Sequence, residues 1–84
     1  MYYIYLIKSK IDNKLYIGYT NNLRRRFSEH NNKESKSTKF RAPFELIYYE
    51  AYKSENDAKD REKKLKYFGQ TTRRLKERLI YSIK

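Results

Sequence analysis

Five side chains in this 84-residue sequence could do polar chemistry and fall at spacings that could bring them together: Tyr5, Tyr16, Arg26, His30 and Glu62. Arg26 and His30 are one helical turn apart and share a face. If Lys10 to Asn13 form the turn between the first two strands, Ser9 pairs with Lys14 and Tyr5 lies opposite Gly18. Tyr16 is then the diagonal neighbour of Tyr5 on the same face. That register sets two phenols side by side, next to space left open by a glycine. Glu62 is the informative acid: it follows Ala58 by four residues and precedes Leu65 by three, on the docking face of a lysine-rich helix. A carboxylate there costs free energy unless a basic side chain pairs with it, water reaches it at a rim, or a metal binds it. Taken singly, each of the five also has a plain structural reading: a surface arginine, a helix-end histidine, core-edge tyrosines, a salt-bridged glutamate.

The elements that must position these residues are legible around them. Tyr2 to Lys8 is a strand with Tyr2, Ile4 and Leu6 on one face and Tyr3, Tyr5 and Ile7 on the other. Both faces are apolar or aromatic, which predicts a central strand covered on both sides. Asp12-Asn13 marks a turn, and Lys14 to Tyr19 is the second strand of an antiparallel hairpin. Thr20, Asn21 and Asn22 offer N-cap oxygens for a helix over Asn22 to Asn31, docked by Leu23 and Phe27. Asn32 to Ala42 is a polar, basic, exposed loop ended by Pro43. Phe44 to Tyr52 is a third strand, in which Phe44, Leu46, Tyr48 and Glu50 alternate with Glu45, Ile47, Tyr49 and Ala51. Ser54-Glu55-Asn56-Asp57 resembles a capping box for a helix from Glu55 to about Tyr67, with Gly69 as its stop signal and Ala58, Leu65 and Phe68 as its docking stripe. Thr71 or Thr72 caps a last helix, whose Leu75, Leu79, Ile80 and Ile83 pack inward. The fold class is α+β: a three-stranded antiparallel sheet flanked by three helices, in the order ββαβαα, as a single domain over residues 1–84.

Composition narrows the function. The chain carries 21 basic and 10 acidic residues, a net charge of +11. That points to a polyanion, nucleic acid before an anionic membrane. Ten tyrosines suit both core edges and contacts with bases or phosphates. With no cysteine and one histidine there is no disulfide and no thiolate or multi-histidine zinc site, which leaves oxygen ligands for any metal. Absence of cysteine is compatible with a reducing compartment, and the expected location is cytoplasmic. The apolar opening from Tyr2 to Ile7 is too short to span a membrane and lacks the basic start of a secretory signal.

Taken together, Tyr3-Ile4-Tyr5, Tyr16-Ile17-Gly18, Arg26, His30 and Glu62 resemble the GIY-YIG nuclease domain. Eleven residues separate Tyr5 from Tyr16, eight separate Gly18 from Arg26, and four more lead to His30. The Asp60-Arg61-Glu62-Lys63 context is similar to the helix that bears the family's metal-binding glutamate. Glu29-His30-Asn31 and Pro43 match the small stand-alone bacterial members, and the resemblance runs over essentially the whole chain. It implies a phosphodiester-hydrolysing endonuclease that uses one Mg²⁺ or Mn²⁺ and acts on nucleic acid, DNA ahead of RNA, in repair or processing. It further implies that Glu62 holds the metal and that Arg26 binds a phosphate oxygen. Tyr5 and Tyr16 would position the attacking water, one of them as general base, with His30 hydrogen-bonded into their network.

The sequence departs from the family pattern at three places. The glycine of the first motif is Tyr3. The lysine that several relatives carry after the second-motif glycine is Tyr19, so His30 or another group must assist the base if that lysine does so elsewhere. No asparagine follows Asn56. Expected nucleic-acid contacts are Lys14, Arg24, Arg25, Lys36, Lys39 and Arg41, around the Arg26 face. The basic last helix is expected to matter less, because it lies further along the chain from the motifs. A membrane or an obligate protein partner is not expected. The competing reading is a nucleic-acid-binding module of the same fold that cuts weakly or not at all.

Overall fold

The structure is a computed structural model that describes all 84 residues. Strand β1 (Tyr2–Ser9) lies between β2 (Leu15–Thr20) and β3 (Phe44–Tyr52), antiparallel to both. The two-sided apolar pattern of β1 is the reason. On one face Ile4 packs with Ala58 and Leu65 of α2 (Glu55–Tyr67) and Leu75 of α3 (Gly69–Arg78). On the other, Tyr5 and Ile7 pack with Ala42 and Phe44, bordered by Leu23 and Phe27 of α1 (Leu23–Asn31). A 3₁₀ turn (Lys39–Arg41) precedes β3, and a short α4 (Ile80–Ile83) closes the chain.

The hairpin takes the register read from the sequence. The Ser9 amide donates to the Lys14 carbonyl at 3.0 Å, and Tyr5 stands opposite Gly18. Asn13 takes a left-handed turn conformation with φ 59°, which asparagine tolerates. Asn22 caps α1 by accepting from the Arg25 amide at 3.0 Å, and Ser54 caps α2 through Asp57. The shorter Asp57 side chain returns no bond, so half of the capping box forms.

Several expectations about the second half are corrected. Strict alternation in β3 fails at a bulge. Leu46 pairs with Ile7 but Tyr48 pairs with Leu6, so Ile47 is an extra residue and the side-chain parity inverts. Phe44 and Leu46 therefore face α1, whereas Tyr48, Glu50 and Tyr52 turn towards α2. Gly69 does not close α2 with an irregular segment; it begins α3 at once, with Phe68 as the joint. Thr72 caps nothing at the start of α3. Its hydroxyl donates to the Leu65 carbonyl, satisfying an acceptor that the end of α2 leaves free. The last helix breaks at Leu79 into α3 and α4, and both Phe68 and Ile80 are exposed rather than packed inward. The tight α2–α3 joint turns Phe68 outward, and the break at Leu79 does the same for Ile80.

Gly18 is required by the contact that sits on it. A β-carbon there would lie 2.2 Å from both Cζ and Oη of Tyr5, a distance that ordinary packing never reaches. Replacing a strand glycine by alanine normally removes an entropic penalty and stabilises. Here Gly18→Ala should instead destabilise by about 1–3 kcal/mol, the range for overpacking a core. Combining it with Tyr5→Leu should recover part of the loss, a non-additivity that marks direct contact. Chemical denaturation of the four proteins in this cycle measures both effects.

Candidate functional site

Tyr5 is central to the site. Its ring is buried over the Gly18 backbone, and its hydroxyl lies 2.8 Å from Nε2 of His30. His30 is fully buried, and its Nδ1 lies 2.7 Å from Oγ1 of Thr38. A continuous Tyr5–His30–Thr38 chain thus joins β1, α1 and the loop before β3. Tyr16 and Phe44 complete the surround of the imidazole, with ring centroids 5.3 and 5.7 Å from it. Burial, with the nearby positive charge of Arg26, lowers the His30 pKa to about 4. The imidazole is therefore neutral near pH 7, with one donor and one acceptor nitrogen. Burial likewise pushes the Tyr5 phenol up to about 12, against the opposing pull of Arg26.

Arg26 is half-buried. Its guanidinium donates to Glu29 at 3.0 Å and to Ser35 at 3.2 Å, and it also lies against the Tyr5 hydroxyl. Burial works against its charge, but the bonds to Glu29 and Tyr5 outweigh that and hold the group protonated. Tyr16 differs from Tyr5 in one respect that matters for chemistry: it lies on edge strand β2 and is only partly buried.

Glu62 approaches from α2, and its placement depends on its neighbour. Arg61 donates twice to Glu50 of β3, at 3.0 Å each, and Tyr48 donates to the same carboxylate at 2.6 Å. Tyr52 also donates to it. Burial alone would raise the Glu50 pKa, but these bonds hold it below the usual carboxylate range. The cluster fixes the rotation of α2, and with it the direction of Glu62. The Glu62 side chain keeps 23% of its exposure and pairs with Lys66 at 3.1 Å. Nζ of Lys66 lies 5.9 Å from the centre of the Tyr16 ring. Tyr16, Lys66, Arg73 and Lys76 share a cleft of about 580 Å³ floored by Leu6, Ile17, Leu65 and Leu75.

Four outcomes differ from expectation. Lys66 was not among the sequence candidates, although its i, i+4 spacing from Glu62 was the available signal. Arg73 and Lys76 of α3 border the cleft after all, because the abrupt α2–α3 joint brings back in space what is distant along the chain. His30 cannot replace the missing lysine at position 19 as a cation, since it is buried and neutral. Tyr19 itself faces α2 and donates to Glu55 at 2.7 Å. Among the expected contacts, Lys14, Arg24, Arg25, Lys36 and Lys39 are exposed, but Arg41 is held by Asp12 at 3.1 Å and lies over Phe44.

No cluster of three or more acidic or histidine side chains exists that could enclose a metal. The donor set is one carboxylate, open to water, with Oε2 on Lys66 and Oε1 without a protein partner. That suits a hard divalent cation that keeps most of its waters and takes further oxygens from a phosphate.

The chain is similar to known proteins in sequence and in fold. The family described as the GIY-YIG catalytic domain matches residues 1–74. The UPF0213 protein CPE1444 of Clostridium perfringens is 41% identical over 83 residues, covering 98% of this chain and 85% of that protein. The UPF0213 protein YazA of Bacillus subtilis is 41% identical over 80 residues, covering 94% and 77%. The solution NMR structure of the UPF0213 protein BH0048 from Bacillus halodurans superposes with a TM-score of 0.56 at 35% identity, covering 96% of this chain and 84% of that one. No helix is long and apolar enough to cross a membrane.

The buried histidine makes stability depend on pH in a defined window. The unfolded chain takes up a proton on His30 below about 6.5, while the folded chain resists until about 4. Stability is therefore complete above pH 6.5 and falls as the pH drops towards 4, by an amount on the order of 3 kcal/mol. Melting curves between pH 7 and pH 4 should show this slope, and His30→Gln should flatten it while lowering stability at pH 7. An unchanged slope in His30→Gln would assign the acid sensitivity to the carboxylates instead.

Proposed function

Because the chain belongs to the GIY-YIG catalytic-domain family, we propose that it is a metal-dependent endonuclease that hydrolyses phosphodiester bonds of nucleic acid, DNA ahead of RNA, during repair or processing. The observation that carries this reading is the unequal treatment of the two tyrosines. Tyr5 is sealed in, tied to His30 and pushed up to about 12, so it is a neutral hydrogen-bonding group rather than a base. Tyr16 meets solvent in a cleft shared with Lys66, the cation paired with Glu62.

Each residue then has one task. Tyr16 is the general base that takes the proton from the attacking water, with Nζ of Lys66 5.9 Å from the centre of its ring. Lys66 supplies the cation that several relatives place after the second-motif glycine. Arg26, held on the Tyr5 face by Glu29 and Ser35, binds a non-bridging phosphate oxygen and is most useful as negative charge builds there. The Tyr5–His30–Thr38 chain orients this face and keeps Arg26 in place. Glu62 would hold a Mg²⁺ or Mn²⁺, which when bound neutralises charge on the phosphate and the leaving oxygen. Lys14, Arg24, Arg25, Lys36 and Lys39, joined by Arg73 and Lys76, provide the phosphate-binding surface.

One observation favours the second reading, a binding module that does not cut: Lys66 already occupies the Glu62 carboxylate. Cleavage of plasmid and single-stranded DNA with Mg²⁺ or Mn²⁺ separates the two. Glu62→Ala should fall to the level of the blank while binding persists. Tyr16→Phe should lose roughly 10²–10⁴-fold in rate, the usual contribution of a general base. Tyr5→Phe should lose less, and Arg26→Ala roughly 10²–10³-fold. Melting temperatures must accompany the rates, since a small core makes lost folding resemble lost chemistry. If Tyr5→Phe costs more than Tyr16→Phe, the base assignment is reversed. If Glu62→Ala cuts like wild type, the metal site is wrong, and if folded wild type binds DNA but never cuts it, the binding module is correct.

A further inference from the structure

Phe40 is the most exposed phenylalanine of the chain, at 82% of its full accessible area, yet it does not sit on a loose loop. It is the middle residue of the 3₁₀ turn, and the backbone on both sides is pinned. Thr38 is buried and bonded to His30. The Arg41 amide donates to the Thr38 carbonyl at 2.9 Å, and the Arg41 carbonyl accepts from the buried Ser9 hydroxyl at 2.6 Å. Arg41 is further held by Asp12, and Lys10 donates to the Pro43 carbonyl at 2.9 Å. The turn is thus hydrogen-bonded on both sides while its ring projects into water.

The surroundings of the ring are cationic. Nζ of Lys39 lies 4.9 Å from its centre, and Lys33 lines the same shallow depression with Ile11 and Ala42. Neither lysine is in an ion pair, although most acidic side chains of the chain are. A single exposed apolar residue needs no explanation by itself. A flat ring on a turn hydrogen-bonded on both sides, flanked by unpaired cations in a chain of net charge +11, is a different matter. It offers a π-face for a base and positive charge for the phosphates on either side of it. A paired base in a duplex hides its faces in the stack, so the ring can engage only a base that is already unstacked.

We propose that Phe40 is a stacking platform for an unpaired nucleobase, with Lys33 and Lys39 as its phosphate contacts, so that the chain prefers nucleic acid containing an unpaired stretch. This rests on nucleic acid being the ligand, as proposed above, but not on cleavage. Its link to the site is short: Phe40 is two residues from Thr38, whose hydroxyl holds His30. Preorganisation also limits the entropy lost on binding, since the turn is already ordered.

The chain has no tryptophan, so Phe40→Trp installs a single fluorescent reporter. Titrations with EDTA present, to prevent cutting, would use oligothymidylate, an abasic phosphodiester strand of equal length, and a blunt mixed-sequence duplex. Oligothymidylate should quench the tryptophan saturably, and the abasic strand and the duplex much less. Phe40→Ala should weaken binding of oligothymidylate roughly 5- to 160-fold, the range for one stacked base, and leave the other two within a factor of two. Equal loss on all three ligands would make Phe40 a structural residue and overturn the proposal, as would no loss on any. Unchanged nucleic-acid affinity with altered sedimentation would assign the ring to a protein contact instead. A wild-type chain that binds none of the three would remove this proposal together with the proposed function, whereas loss of the Phe40 effect with Glu62-dependent cutting intact would remove this one alone.

Discussion

The structure depends on the ring of Tyr5 lying directly on the backbone of Gly18. Two strands can meet there only because one of them has no side chain at that point, and the space is filled by the phenol of the other. From that position the hydroxyl reaches Nε2 of His30, and Nδ1 of the same ring reaches Thr38. Burying an imidazole and a phenol together costs free energy unless each polar atom has a partner. Here the partners are one another, and the bonded chain runs across three separate elements. Ordering any one of them helps to order the rest, so a residue that is nominally part of a strand also determines the path of a loop 30 residues later.

A second polar cluster does the equivalent work on the opposite face of the sheet. Glu50 would be an expensive residue to bury alone, but Arg61 and two tyrosines converge on it. Breaking such a pair by removing one partner costs far more than the pair contributes in net stability, so its value here is geometric rather than energetic. It sets how α2 is rotated on the sheet, and Glu62 follows Arg61 directly in sequence. The β3 bulge is part of the same arrangement, because without the inverted parity Glu50 would face α1. The two clusters meet at β2, the edge of the sheet, where Tyr16 from one face and Lys66 from the other share an open cleft.

Much of this was readable beforehand, and the misses have physical causes. Periodicity identifies β1 as central, and a loop over Lys10 to Asn13, one of several possible, is the one whose register places Tyr5 on Gly18. The caps at Asn22 and Ser54 were local and therefore visible. The bulge at Ile47 was not, since a single extra residue leaves an ordinary alternating pattern on either side of it. Gly69 signals a stop in the sequence because that is the usual role of a glycine there, whereas the restart of a helix immediately after Phe68 is a tertiary outcome. That same joint carries Arg73 and Lys76 to the cleft, which no distance along the chain could reveal. Arg41 looked like any other loop cation, and only the fold commits it to Asp12. At the site, residue types and spacing indicated which side chains belong together, but not that His30 would be neutral or that the two tyrosines would differ in access to water.

The pairing of Lys66 with Glu62 bears on which reading of the site is better supported, and magnitudes decide the point. Ion pairs at i, i+4 on a partly exposed helix surface contribute only about 0.3–0.5 kcal/mol. A divalent cation with even millimolar affinity binds with about 4 kcal/mol. Such a cation would therefore displace the ammonium from Oε2 with little loss of affinity, or use Oε1 and leave the pair in place. The lysine does not close the site to a metal. On its flexible stem it can stay in the cleft with the charge redirected towards Tyr16 or an incoming phosphate. An isolated carboxylate in so basic a chain would always attract some cation, and a lysine one turn away provides one that is mobile and easily exchanged. The pair is thus compatible with a divalent cation on Glu62 and does not by itself decide for the non-cutting module.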